Sequence, residues 1–128
     1  MNHKSQSLHD VLVWQKAHAF TLALYSCTND FPTHEMYALI SHLRLAATSI
    51  GSNFVEGLRK RTTPDQLRFY NIAQGSAGEC LAQLVLPHGL KDAETSALPE
   101  QVEEVSRRLQ GYLNGLERNA PDPARHQI

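Results

Sequence analysis

Apolar residues recur along the chain at alternating steps of four and three, in four separate runs. Val13, Ala17, Phe20, Leu24, Cys27 and Phe31 form the first, and Met36, Ile40, Leu43, Ala47, Ile50 and Phe54 the second. The third, Leu67, Tyr70, Gln74, Ala77, Leu81 and Leu84, carries one polar interruption; the fourth reads Leu98, Val102, Val105, Leu109, Tyr112 and Leu116. An α-helix turns once every ~3.6 residues, so each run lines one face and predicts an amphipathic helix. No segment alternates with period two for long enough to propose a strand. Helices of roughly 18 to 24 residues with modest links predict an all-α, antiparallel up-down-up-down four-helix bundle. The spacing also predicts shallow, left-handed packing.

The punctuation agrees with these runs. Pro32-Thr33 ends the first helix and caps the second, with Glu35 in its first turn. Thr63-Pro64-Asp65-Gln66 reads as a cap, a proline at the first helical position and a closing capping box. Gly57 is placed to end helix two and His88-Gly89 to end helix three, with Pro87 just before that end, and Pro99 opens helix four. Residues 1–9 are expected to be a flexible N-terminus and 10–118 the bundle. Residues 119–128, poor in apolar side chains and holding two prolines, are expected to be a disordered tail.

Two helices carry more apolar surface than one core uses. Trp14, Leu22 and Tyr25 lie beside the first run, and Phe69, Ile72, Ala73 and Cys80 beside the third. They either widen the core face or form a subunit interface. Helix three also holds Gly75 and Gly78 in its middle, each costing about 1 kcal/mol against alanine. That cost marks close approach of another backbone, in helix two with its Ala46, Ala47 and Ser49 or in another subunit, and favours self-association.

Composition excludes more than it assigns. A chain of 128 residues fits one domain and buries about two-thirds of its extended surface, enough for a core without disulfides or metal. No apolar run approaches the ~18 residues of a membrane span, and no signal-peptide stretch opens the chain. Two cysteines, Cys27 and Cys80, suit a reducing cytoplasm. The net charge of -1 argues against a protein that coats nucleic acid with its whole surface.

That net charge hides a segregation. From Gly57 to Tyr70, Arg59, Lys60, Arg61 and Arg68 face one acid, Asp65; from Lys91 to Glu104, Asp92, Glu94, Glu100, Glu103 and Glu104 face Lys91 alone. In an up-down bundle these clusters fall at opposite ends. Subunits in a ring with parallel axes would gather the basic turns on one face, a multivalent phosphate-binding surface. The plain alternative is a solvated turn beside a helix C-terminus.

Catalytic and metal signatures are missing. The chain has no Gly-rich phosphate loop, nucleophile elbow, Cys-x-x-Cys, His-Glu-x-x-His or Glu-x-x-His. No metal, cofactor or small-molecule substrate is expected, and the two thiols read as inert. Counting across the turn near residue 60 sets Arg44 level with Glu79 and Glu56 level with Asp65 to Arg68. Arg44–Glu79 and Glu56–Arg68 are therefore expected as interhelical ion pairs fixing register, with Asn53 capping or bridging nearby. Glu56 and Glu79 lie too far apart around the hairpin for an acid–base couple.

Several segments resemble a known family. They are Val13-Trp14-Gln15-Lys16-Ala17, Leu24-Tyr25, Phe31-Pro32, Glu35-Met36-Tyr37, Leu43-Arg44-Leu45-Ala46-Ala47-Thr48-Ser49-Ile50, Asn53-Phe54-Val55-Glu56-Gly57 and Gly75-Ser76-Ala77-Gly78-Glu79-Cys80. Together they resemble the small bacterial four-helix-bundle proteins named for open reading frames in 23S rRNA intervening sequences, over about residues 10 to 117. The segment Leu86-Pro87-His88-Gly89 and the modest overall basicity depart from that pattern. The resemblance implies a cyclic ring, most often a pentamer, and carries no catalytic residues. Similar proteins include the accessory variability determinant of diversity-generating retroelements, a basic ring that partners a reverse transcriptase and binds nucleic acid. The combined expectation is a non-catalytic ring-forming bundle that binds RNA or a nucleoprotein through Arg59, Lys60, Arg61 and Arg68. Its competitor is a protein–protein scaffold without nucleic-acid binding.

Overall fold

The computed structural model describes residues 8–29, 33–85 and 97–119. It holds four helices, α1 (Leu8–Thr28), α2 (Thr33–Leu58), α3 (Thr63–Val85) and α4 (Leu98–Asn119), and no strand among the described residues. The expectations for residues 1–7, Phe31-Pro32, the Pro87-His88-Gly89 break, the acids Asp92 and Glu94, and residues 120–128 lie outside those residues, while Leu8, His9 and Asn119 belong to the helices.

The apolar runs meet in one core, in which α1 packs on α2 and α4, and α3 on α2 and α4. Val13, Ala17, Phe20 and Leu24 of α1 are buried with Leu43, Ala47, Ile50 and Phe54 of α2 and Leu98, Val102, Val105 and Leu109 of α4. Close packing at these positions is the main stabilising term, at about 1.5–3 kcal/mol for each large side chain fully buried.

Helix α3 departs from the expected run. Its core face is Tyr70, Ala73, Ala77, Cys80 and Leu84, so Ala73 and Cys80 belong to the core rather than to a second stripe. Gln74 stands at the edge instead. Its amide donates to the Ser106 carbonyl at 3.0 Å, and the Ser106 hydroxyl donates back to Gln74 Oε1 at 2.9 Å. A polar side chain at this edge is thus satisfied between α3 and α4.

Two terminus readings shift. Thr62, not Thr63, caps α3: its hydroxyl accepts the Asp65 N–H at 3.2 Å, and its carbonyl accepts from Gln66 at 3.0 Å. Pro64 then sits at the second helical position, where a missing N–H is still harmless because first-turn donors lack intrahelical partners. Gly57 does not end α2, which runs on to Leu58. It is buried inside the helix, and a Cβ there would overlap the Tyr70 ring. Bareness, not chain reversal, explains this glycine. Gly75 and Gly78 are exposed, with no atom within 4 Å of an added Cβ. The close approach expected at these two positions is therefore absent within the chain's described residues.

Tyr70, Phe54 and Tyr112 close one region of the core. Their ring centroids lie 5.4 Å (Phe54–Tyr70), 5.5 Å (Phe54–Tyr112) and 5.1 Å (Tyr70–Tyr112) apart, the last two edge to face. Burial raises the Tyr70 phenol to about 12. Burial, and then a hydrogen bond to the buried Asp10 carboxyl, raise that of Tyr112 as well.

Candidate nucleic-acid interface

The α2–α3 turn and the start of α3 carry the four predicted cations, two of them over the Phe69 ring. Arg59 N donates to the Glu56 carbonyl at 3.2 Å and Lys60 N to that of Gly57 at 3.1 Å, winding the end of α2 into the turn. Lys60 pairs with Glu56 one helical turn back, at 3.0 Å, and this holds the Glu56 carboxyl below the ordinary range. Arg68 lies 3.9 Å from Asp65 on its own helix. Lys60 and Arg68 also lie over the half-buried Phe69 ring, at 4.9 and 4.8 Å from its centroid. Arg59 and Arg61 are exposed and form no salt bridge among the described residues, although the charge of Arg59 also helps hold the Glu56 carboxyl down. The structure thus separates two cations held in salt bridges from two whose exposed guanidinium groups stand outside any salt bridge.

The expected interhelical ion pairs do not form, for a reason of direction. Arg44 turns toward α1 and closes that helix's end. Its guanidinium donates to Thr28 Oγ1 at 3.0 and 2.8 Å, to the Tyr25 carbonyl at 3.2 Å and to Asn29 Oδ1 at 3.3 Å. It also lies 4.3 Å from the Tyr25 ring centroid. A cation at a helix C-terminus is favoured by the orphan carbonyls and the dipole. Glu79 instead pairs with His42 at 2.9 Å, and His42 Nδ1 lies 2.9 Å from the Gln83 amide. Glu56 finds Lys60 rather than Arg68 because Lys60, four residues on in the turn that follows α2, lies within reach at 3.0 Å.

Asn53 does bridge. Its amide donates to the Ser49 carbonyl at 2.9 Å and to Ser49 Oγ at 2.8 Å, while Ser49 Oγ lies 2.8 Å from Ser76 Oγ on α3. This polar seam joins the two helices where small residues let them approach. Serines at core-edge positions in both helices were the signal for it. On the other side, Lys16 of α1 reaches Glu104 of α4 at 3.3 Å; Arg108 and Lys16 together hold that carboxyl below its usual range.

The expected interface residues fall into three groups. Leu22 and Ile72 are exposed, at 56% and 43%. Tyr25 and Phe69 are covered in part by the cations named above. Trp14, 40% exposed, stacks on His18, with centroids 4.7 Å apart and planes inclined by 13°.

A family model described as 23S rRNA-intervening sequence protein matches residues 9–111. The chain belongs to that family. The span matched as a 23S rRNA-intervening sequence protein contains every residue singled out above from Trp14 to Arg108, including the basic turn, the Arg44 cap and the Ser49–Ser76 seam. No curated protein matches the chain. Among the described residues no helix is long and apolar enough to cross a membrane, and no group of three or more His, Cys, Asp or Glu is placed to hold a metal ion. Burial pushes the Cys80 thiol up to about 12, so it is held neutral.

Proposed function

We propose that the protein is a non-catalytic, self-assembling bundle that binds RNA or a nucleoprotein through its α2–α3 turns. The observation that carries this reading is the pair Arg59 and Arg61, exposed and outside any salt bridge, in the same turn as the Lys60–Phe69–Arg68 cluster. Phosphate contact by free cations releases counterions and strengthens binding at low salt. The antiparallel up-down-up-down arrangement is supported by the order of contacts. Trp14 lies by Gly51, Thr21 by Ala47 and Thr28 by Arg44, rising on α1 as they fall on α2. Ser49 with Ser76 and His42 with Glu79 follow the same rule on α2 and α3. The three-four spacing supports left-handed packing.

Self-association, as a ring and with five subunits the favoured number, is supported by large apolar side chains left on the outside. Leu22, Leu45, Ile72 and Val85 are all exposed, Leu45 at 70%. A ring in the cytoplasm would present several basic turns together, turning a weak contact into a multivalent one. The same exposed side chains favour a second reading, a protein–protein scaffold.

One experiment separates the two. Binding of labelled RNA is followed at rising salt for the parent and for an Arg59/Lys60/Arg61 triple-alanine variant, with native mass measurement of subunit number. Steep salt dependence, lost in the variant, is the expected result. Salt-independent binding, or none, removes the nucleic-acid reading, and a clean monomer removes the ring.

A further inference from the structure

Between α1 and α2 lies an open groove of about 460 Å³, within the roughly 300–1,000 Å³ typical of small-molecule sites. Trp14, Ala17, Gly51 and Val55 line it, with the hydroxyl-bearing Thr48 and Ser52 and, at one end, Glu56. His18 stacks on the indole and fixes its orientation. Trp14 Nε1 is the atom nearest a Cβ built on Gly51, at 3.9 Å, so the N–H edge of the ring faces α2. It donates to no described residue. Ser52 and Val55, at i and i+3, share a strip of α2. The lining ends at Glu56, and the exposed Arg59 follows in the turn three residues further on.

We infer that this groove seats an unpaired nucleobase of single-stranded RNA on the exposed part of Trp14, with an adjoining phosphate on Arg59. The inference rests on the reading of the α2–α3 turn as an RNA-binding surface and narrows it to single strands. Every base has a π-face, so an aromatic platform beside a free cation recognises a strand without a fixed sequence. The lining also favours a base over the apolar face of a partner helix. Such a helix would bury the indole N–H without offering it an acceptor, since the Thr48 and Ser52 hydroxyls already donate to the Arg44 and Ser49 carbonyls, whereas a base edge supplies acceptors. A duplex keeps its bases stacked inside and presents none to the groove.

The chain has a single tryptophan, so its emission reports on the groove alone. The full-length protein is titrated with a short oligo(A) RNA, with a duplex of the same length and with adenosine monophosphate. Trp14 emission and the anisotropy of labelled RNA are read in parallel. Quenching by the single strand, with little from the duplex or the mononucleotide, is expected. Two variants, Trp14→Leu and Ser52→Leu, should weaken single-strand binding by about tenfold, in the range of losing one stacked base. Ser52 is exposed, so that variant keeps the fold while filling the groove. Anisotropy that rises without quenching, and unchanged affinity in Ser52→Leu, overturns the groove and leaves the basic-turn reading standing. No anisotropy change with any RNA overturns both. Emission that follows protein concentration rather than RNA shows that a second copy fills the groove, and also refutes the inference.

Discussion

Replacing Gly57 by alanine sets helix propensity against packing, and the structure decides the sign. Position 57 lies inside α2, where alanine would stabilise the helix by about 1 kcal/mol. The added Cβ, however, would stand 2.7 Å from Tyr70 Cδ1 and 3.0 Å from Cζ. Tyr70 is fully buried between Phe54 and Tyr112, so its ring has nowhere to retreat without disturbing the Tyr112–Asp10 hydrogen bond. Overpacking of this kind costs about 1–3 kcal/mol, and a rigid, doubly packed ring belongs at the upper end. Gly57→Ala should therefore destabilise by ~2 kcal/mol net, a fall of about 8 °C in Tm. The assay is thermal and urea unfolding followed by circular dichroism, at one protein concentration so that assembly does not shift the comparison. Gly75→Ala and Gly78→Ala are the controls. With no atom within 4 Å, each should stabilise the subunit by about 1 kcal/mol. A Gly57→Ala protein as stable as the parent would refute the packing argument.

Three further outcomes are expected. Arg44→Ala removes hydrogen bonds that close α1 and should cost about 2 kcal/mol in urea unfolding, whereas Glu79→Ala, which breaks an exposed pair, should stay within ~0.5 kcal/mol of the parent; equal effects would contradict the assignment of the cap. Tyr70, Tyr112 and Cys80 have raised values in the fold, so their contribution is fully present below the ordinary values of about 9 for the thiol and 10 for the phenols, and is lost as pH rises toward 12 and beyond. Melting temperatures that fall above pH ~9 alongside late phenolate absorbance would show this, and phenols titrating near 10 in the folded protein would argue against it. Arg59→Ala with Arg61→Ala should reduce the salt slope of single-stranded RNA binding by about 0.7 for each cation lost, with unfolding unchanged; an unaltered slope would place the phosphates elsewhere.

Helices, core and basic turn were legible from the chain because they depend on local spacing. A 3.6-residue period places Val13, Phe20, Leu43, Phe54 and Val105 on buried faces whatever the neighbours are. The consecutive cations of the turn need no tertiary contact to stand together. Partner choice among the polar side chains was a tertiary matter. Counting across the turn found the right axial level, since Leu43 does lie beside Cys80 and His42 beside Glu79. It missed the direction around the helix. Residues 42 and 44 differ by about 200° at ~100° per residue, so one faces α3 and the other α1. Small changes of direction also moved Gln74 to an edge and Ala73 and Cys80 inside. Gly57 reads locally as a helix end, and only the Tyr70 ring packed against it shows why the position is bare. The groove beside Trp14 exists only because α1 and α2 lie side by side, so periodicity along either helix alone leaves it unseen.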